Sequence, residues 1–388
     1  MNLQLYSTNK EFHNSAASAI LDFLRFFAAF TVFLMHFRPF LEVPPEVKNT
    51  IYYQIFYSWA STGFVFVMVF FVLSGYFISS TVLNSILQGR WSWKTYLINR
   101  LSRLWVVLIP ALLLTVLWAK LQINNFGNSQ VMVNKISYFL TDLMSFKVLL
   151  GNVFFLQEII VPTYGTNGPL WSLAFEFWYY ILFPCIILIF KHPSKKKRFF
   201  YLIVSLIIIL FIGRNIVLYF TIWLMGTIPI FLKSFDIHDR LKRILLSILT
   251  LALFITSLKL PYYWYNDFNP GYGRTDFAPI FVSGIGITIS LYLIINLFRK
   301  LNFRRKLYLM VCKFLGGISY TLYLTHYPIF SFLRAWRFSK DWPVPLSYLY
   351  LFEFVAAIVI LVYAILIAFI TERNTNKIKK WIGNKFSF

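Results

Sequence analysis

The chain has 388 residues, of which 59% are apolar and only 13% charged, with a formal net charge of +23. That balance excludes a water-soluble globular protein and fits a polytopic membrane protein. The excess of Lys and Arg is gathered in alternate loops between apolar stretches, which argues against nucleic acid as a partner.

Ten apolar segments long enough to cross a bilayer as helix follow in chain order, at about 17–39, 56–82, 101–119, 168–190, 199–213, 215–232, 243–260, 277–298, 308–330 and 346–371. The fifth and sixth are short, with a soft boundary between them. The expected fold class is all-α, a polytopic membrane helical bundle forming one integral-membrane domain over 1–388. The first segment is no cleavable signal, because it is too long, carries Asp22 and Arg25 and lacks a basic leader. There is no internal repeat and no low-complexity linker. The longest stretch between spans, about 120–167, has an apolar part, Phe139 to Ile160, expected to lie on or dip into the membrane.

Within the first segment, LDFLRFFAAFTVFLMHF, Arg25 and His36 stand in hydrocarbon, where charged or titratable side chains are costly and usually mark a site or a path. Eleven helical steps put them about 16 Å apart along the axis and about 20° apart around it. They share one face, one near each end of the hydrocarbon core.

The basic residues come next. The loop after span two holds Arg90, Lys94, Arg100 and Arg103, and the loop after span four is KHPSKKKR. The loop after span six holds Lys233, Arg240, Lys242 and Arg243, and the loop after span eight Arg299, Lys300, Arg304, Arg305 and Lys306. The tail adds Arg373, Lys377, Lys379, Lys380 and Lys385. This positive-inside pattern puts both termini in the cytoplasm, with the basic side chains serving as topology signals and lipid-headgroup contacts. Arg100 and Arg103, at i and i+3 on the entrance to span three, point the same way. Two readings fit them. One is a pair of snorkelling anchors; the other is a planar, multi-donor clamp for phosphate.

Span four opens on Asn167-Gly168-Pro169, a turn followed by proline in the first helical turn. Glu176 lies roughly 10 Å inside that start and needs a partner at such depth. Span one leaves the membrane on the same side, near Pro39, so His36 and Glu176 fall within about one helical turn of each other in depth. Either the two tie helices together, or the carboxylate orients an imidazole that takes a proton from a hydroxyl. Span nine carries Gly316-Gly317-Ile318-Ser319-Tyr320 and then Tyr323 and His326. Ser319, Tyr323 and His326 share a helical face, and the glycines permit close packing. Span two has a comparable Ser74-Gly75-Tyr76. Cys185 and Cys312 fall in apolar segments and read as buried small hydrophobes, with no disulfide framework and no metal site.

Taken together, these segments resemble acyltransferase family 3, integral-membrane enzymes that act on carbohydrates. The likeness runs from about Leu21 to Glu372 with its elements in order. Asp22, Arg25 and His36 match the first-helix signature of an arginine, ten residues, then histidine. Phe70 to Phe77 matches the second-helix motif, Arg100 and Arg103 the paired arginines, Trp171-Ser172-Leu173 with Glu176 the next, and Ser319-Tyr320 with Tyr323 and His326 the ninth-helix motif. The extracellular hydrolase-like domain of some members is not expected here, as the chain ends 16 residues past Glu372 (388 minus 372).

The resemblance implies a membrane O-acyltransferase of the bacterial cytoplasmic membrane. It would move an acyl group, acetyl in the simplest case, from cytoplasmic acyl-CoA to a hydroxyl of an exported or surface carbohydrate, or of its lipid-linked precursor, without a metal. Arg100 and Arg103 would hold the CoA phosphates. His36 would be general base with Glu176 as its partner, and Arg25 would hold CoA or polarise the thioester carbonyl. Ser74, Ser172, Ser319, Tyr323 and His326 would line the path. Direct transfer and an acyl-enzyme both remain open. The alternative is a polysaccharide or lipid-linked-sugar transporter or flippase, which would spread polar residues through many helices; here they concentrate in spans one, three, four and nine. A lipid-linked-sugar glycosyltransferase would place a working carboxylate in its first outer loop, which has only Glu42 and Glu46 beside Pro44-Pro45.

Overall fold

The computed structural model describes residues 3, 5, 10–38, 45–133, 136–264, 277–301, 306–339, 346–375 and 377–379. Pro39, Glu42, Pro44, Arg304, Arg305, Lys380 and Lys385 lie outside the described residues. The chain is nearly all helix. Among the described residues eight helices are long and apolar enough to cross a membrane, or nine if Lys306–Gly316 and Ser319–Phe338 form one broken span.

The differences from the expected segments have local causes. The second membrane helix is Gly63–Leu87, preceded by a separate short helix, Ile51–Ser61. Thr62 ends the short helix, its hydroxyl and its N–H both turned back to the Trp59 carbonyl. The third helix, Trp93–Phe126, runs well beyond 101–119 at both ends. The fifth and sixth segments fall in one run, Lys195–Phe231. Inside it the backbone leaves helical geometry at Gly213, with φ 77° and ψ 170°. That region of backbone space is essentially open to glycine only, so the soft boundary corresponds to a break in the helix.

Among the described residues one element, a hairpin, is not helical. Gln130–Val133 pairs antiparallel with Ile136–Phe139, with Gln130 opposite Phe139. The hairpin is followed by two short helices, Leu140–Leu143 and Phe146–Val153, which occupy the stretch expected at the membrane surface.

By compactness the chain divides into two units. The first comprises Met1–Arg25, Val65–Trp93 and Phe175–Gly316. Its interior is aromatic: Tyr179 packs against Phe71, Phe220 and Trp223, and its hydroxyl donates to the Ile216 carbonyl at 2.8 Å. Arg240–Trp264 lies along Phe277–Phe298, and the approach is close at Gly286, where a Cβ would run into Ser257. At one end of that pair Asp236 bonds Arg299 and Lys300, both at 2.6 Å, and these cations hold its carboxyl below the usual carboxylate range.

The second unit comprises Phe26–Phe64, Lys94–Ala174 and Gly317–Phe388. Its core gathers Phe33, Leu34, Phe37, Ala60, Ile329, Phe330, Ala356 and Ile360. Leu113, Leu210 and Phe354 are among many exposed apolar side chains, as helices facing lipid require.

Candidate functional site

In the first unit the site is built around Glu176, on the helix Trp171–Lys191. Tyr180, one turn further on, donates its hydroxyl to Glu176 Oε1. Ser74 donates to the same oxygen at 2.8 Å, and the indole N–H of Trp223 donates to Ser74 Oγ at 3.2 Å. Two glycines make this convergence possible. A Cβ on Gly75 would meet the Trp223 carbonyl, and one on Gly226 would meet the Val72 carbonyl. The backbones therefore touch, and Trp223 is near enough to reach Ser74. Trp223 is fully buried, and Ser74 and Glu176 are half-buried.

Arg25 belongs to the same neighbourhood. Its guanidinium lies 4.3 Å from the centroid of Phe77 and bonds Asp22 at 3.2 Å. Phe77 follows Ser74 by three residues and so shares its helix face. Arg25 thus sits about one turn along that helix from the Ser74–Glu176 pair. Gly316 packs against Asp22, with no room for a Cβ.

In the second unit the centre is a pair of imidazoles. His36, near the end of Ala16–Phe37, has its ring centroid 5.4 Å from that of His326. Tyr327 stands edge-on to His36 at 4.7 Å, and Phe33 edge-on to His326 at 6.1 Å. His326 is wholly buried. Its Nδ1 lies 2.8 Å from the Leu322 carbonyl. A carbonyl only accepts, so Nδ1 carries the proton and Nε2 is the basic nitrogen.

The same helix, Ser319–Phe338, is held by polar contacts in the turns before His326. Pro328 has no N–H to give the Leu324 carbonyl, and the Asn167 side chain bonds that carbonyl instead at 2.9 Å. Asn167 also donates to Thr115 at 3.3 Å. Tyr323 and Ser172 share a hydrogen bond of 2.8 Å between hydroxyls, and Tyr323 also donates to the Pro169 carbonyl. Ser319 is buried at the helix start.

Arg100 and Arg103 both lie near the start of Trp93–Phe126. Arg100 is half-buried, 5.4 Å from the Tyr96 ring centroid, with a buried Nε that has no hydrogen-bond partner among the described residues. Arg103 is exposed. Among the described residues no three His, Cys, Asp or Glu side chains group as metal ligands.

The expected residues therefore come together in sets: Ser74 with Glu176 and, one turn away, Arg25; His36 with His326; Ser172 with Tyr323. The pairing of His36 with Glu176 expected from sequence joins residues of different units. Three contributors were not expected. Tyr180 was within reach of sequence reasoning, since i+4 from Glu176 is a helical neighbour. Trp223 gave no signal, being 149 residues from Ser74. Asn167 was visible only as a helix start, although Pro328 does announce an unpaired carbonyl one turn before it.

No solved structure matches this chain significantly. Curated relatives do. The O-acetyltransferase OatA of Staphylococcus aureus is 28% identical over 337 residues, 79% of this chain and 52% of the relative. The putative peptidoglycan O-acetyltransferase YrhL of Bacillus subtilis is 26% identical over 169 residues, 42% of this chain and 25% of the relative. The peptidoglycan O-acetyltransferase OatA of Listeria monocytogenes is 28% identical over 149 residues, covering 37% and 23%. The chain thus spans about half the length of the S. aureus relative, and less of the others. The family described as Acyltransferase domain matches residues 18–373, which takes in both the imidazole pair and the Glu176 cluster. With that match over almost its whole length, the chain belongs to this acyltransferase family.

Proposed function

We propose that the protein is a multi-pass O-acyltransferase of a bacterial cytoplasmic membrane, taking an acetyl group from acetyl-CoA at the inner surface and placing it on a hydroxyl of a surface glycan or its lipid-linked precursor. Peptidoglycan is the first acceptor to test, because the B. subtilis and L. monocytogenes relatives carry it in their names. The observation that carries the reading is the packing of His36 against His326 in a helical membrane protein of an acyltransferase family. An imidazole kept largely from water is suited to take a proton from an acceptor hydroxyl as its oxygen bonds the acyl carbon.

In this reading His36 is the general base. Glu176, with its orientation fixed by Ser74 and Tyr180, is the catalytic carboxylate. Arg25 faces the thioester carbonyl, where charge develops in the transition state. Arg100 and Arg103 hold the CoA phosphates, and the alternation of basic loops supports a reading in which both termini and the donor side are cytoplasmic. Ser172, Ser319, Tyr323 and His326 line the way to the acceptor, and Ser74 holds Glu176.

The test is complementation of a strain lacking its own O-acetyltransferase, reading base-labile acetate on the cell wall. Wild-type protein should restore it. His36→Ala at matched membrane level should lower it at least about 100-fold, the lower end of what a general base contributes. Full acetylation by His36→Ala would refute the assignment.

A further inference from the structure

A fully buried nitrogen without a hydrogen-bond partner is rare in folded proteins and calls for an explanation. His326 Nε2 is such an atom among the described residues. The ring has no freedom to relieve it by flipping, because Nδ1 is tied to the Leu322 carbonyl. The helix position is fixed as well, since Asn167 holds the Leu324 carbonyl two residues before His326. Its lone pair therefore has a set direction and no donor among the described residues. The neighbours accord with this. Phe33 and Tyr327 present ring edges around the two imidazoles, and His36 is half-buried beside the wholly buried His326.

We propose that His326 is a second proton-accepting group of the transfer: the acceptor hydroxyl, or water before substrate arrives, donates its hydrogen bond to Nε2, and His36 and His326 carry the released proton as a pair. The inference rests on the acyl-transfer reading above. As the hydroxyl oxygen bonds the acyl carbon, its O–H bond breaks and the thioester C–S bond breaks. The proton goes to the imidazole pair and then to the departing thiolate. The products are an ester and a free thiol, and the pair returns to its starting protonation. Two imidazoles side by side cannot both be cationic without strong repulsion, so the pair holds one proton at a time. A lone histidine packed only for shape would need neither a fixed tautomer nor an open Nε2.

The experiment compares two conservative variants of the full-length protein in nanodiscs. Asn at position 326 keeps an amide N–H where Nδ1 bonds Leu322 and removes the Nε2 acceptor. Gln keeps an acceptor near the Nε2 position that cannot take up a proton. The assay uses acetyl-CoA with a chitotetraose acceptor, reading thiol release and ester formation. If Nε2 takes the proton, both His326→Asn and His326→Gln lower kcat by about 100-fold or more with acetyl-CoA KM within about threefold of wild type. If either variant retains kcat within about threefold while His36→Ala is inactive, the inference fails and the acyl-transfer reading stands. If wild type and His36→Ala give equal rates, or wild type forms no ester, the reading itself fails and the inference falls with it. Circular dichroism and monodispersity confirm that each protein assayed is folded. Should His326→Asn not fold, the comparison rests on His326→Gln, whose wild-type kcat would overturn the proposal alone.

Discussion

Arg100 and Arg103 differ in setting although they share a helix face. Arg100 has an aromatic neighbour in Tyr96 and an open Nε, while Arg103 is exposed. A half-buried guanidinium with an unused donor is poised for an anion in a way that a snorkelling anchor is not. Lysine preserves the charge but loses the planar fork. The double variant Arg100→Lys/Arg103→Lys should therefore weaken acetyl-CoA binding, by about 10-fold if one bidentate charge-assisted contact of about 1.5 kcal/mol is lost. Isothermal titration on purified protein measures this, and unchanged affinity would leave the two arginines as membrane anchors. Glu176 illustrates what a single residue discloses. A carboxylate in an apolar run announces that it has partners, and Tyr180 could be named from helical spacing. Trp223 could not, because only the folded chain brings it to Ser74.

At the scale of elements, the crossing of Gly63–Leu87 with the segment around Trp223–Gly226 decides the Glu176 cluster. Gly75 and Gly226 each abut a backbone carbonyl. A methyl group there has no flexible side chain to displace, so the two segments must part. Gly75→Ala should cost about 1–3 kcal/mol, as overpacking does, and should break the Trp223–Ser74 bond. A thermal melt in detergent checks it; a midpoint unchanged within about 1 °C would show that the crossing is loose. The helical segments were readable from hydropathy because the length of an apolar run is fixed by bilayer thickness. Their breaks were harder to read. Thr62 interrupts a helix inside the single segment expected over 56–82, whereas the break at Gly213, followed by Arg214 and Asn215, shows in the sequence only as the soft boundary between the fifth and sixth segments. The hairpin Gln130–Val133 with Ile136–Phe139 was missed for a related reason: two four-residue strands are too short to establish an alternating pattern.

For the whole molecule, the alternation of basic loops makes a claim about orientation that labelling can decide. In a Cys312→Ser background, a cysteine in place of Lys195 should resist an impermeant maleimide in intact cells, and one near Asn128 should react. The reverse pattern would put Arg100 and Arg103 on the wrong side for the proposed cytoplasmic CoA. The candidate site residues were legible because each is an anomaly in hydrocarbon: Arg25, His36, Glu176 and His326 stand out by cost alone. What brings them into sets is tertiary. His36 and His326 are 290 positions apart (326 minus 36), and no local rule pairs them.

Glu372 has a consequence for how short a working version of this protein can be. The helix bearing His326 begins at Ser319 without a capping side chain of its own at Ile318. Glu372 Oε2 fills that role from just past the last long helix, accepting both the N–H and the hydroxyl of Thr321 at 3.0 Å. A carboxylate there satisfies a buried amide that the helix leaves unpaired and complements the positive end of the helix dipole. Truncation after Ile370 should therefore leave every long helix in place yet loosen the start of the His326 helix, at a cost of about 1–2 kcal/mol. Truncation after Thr375 should be neutral. Melting midpoints and cell-wall acetylation of the two shortened chains test this, and equal behaviour would show that the minimal catalytic unit stops at the last helix rather than at the acid that follows it.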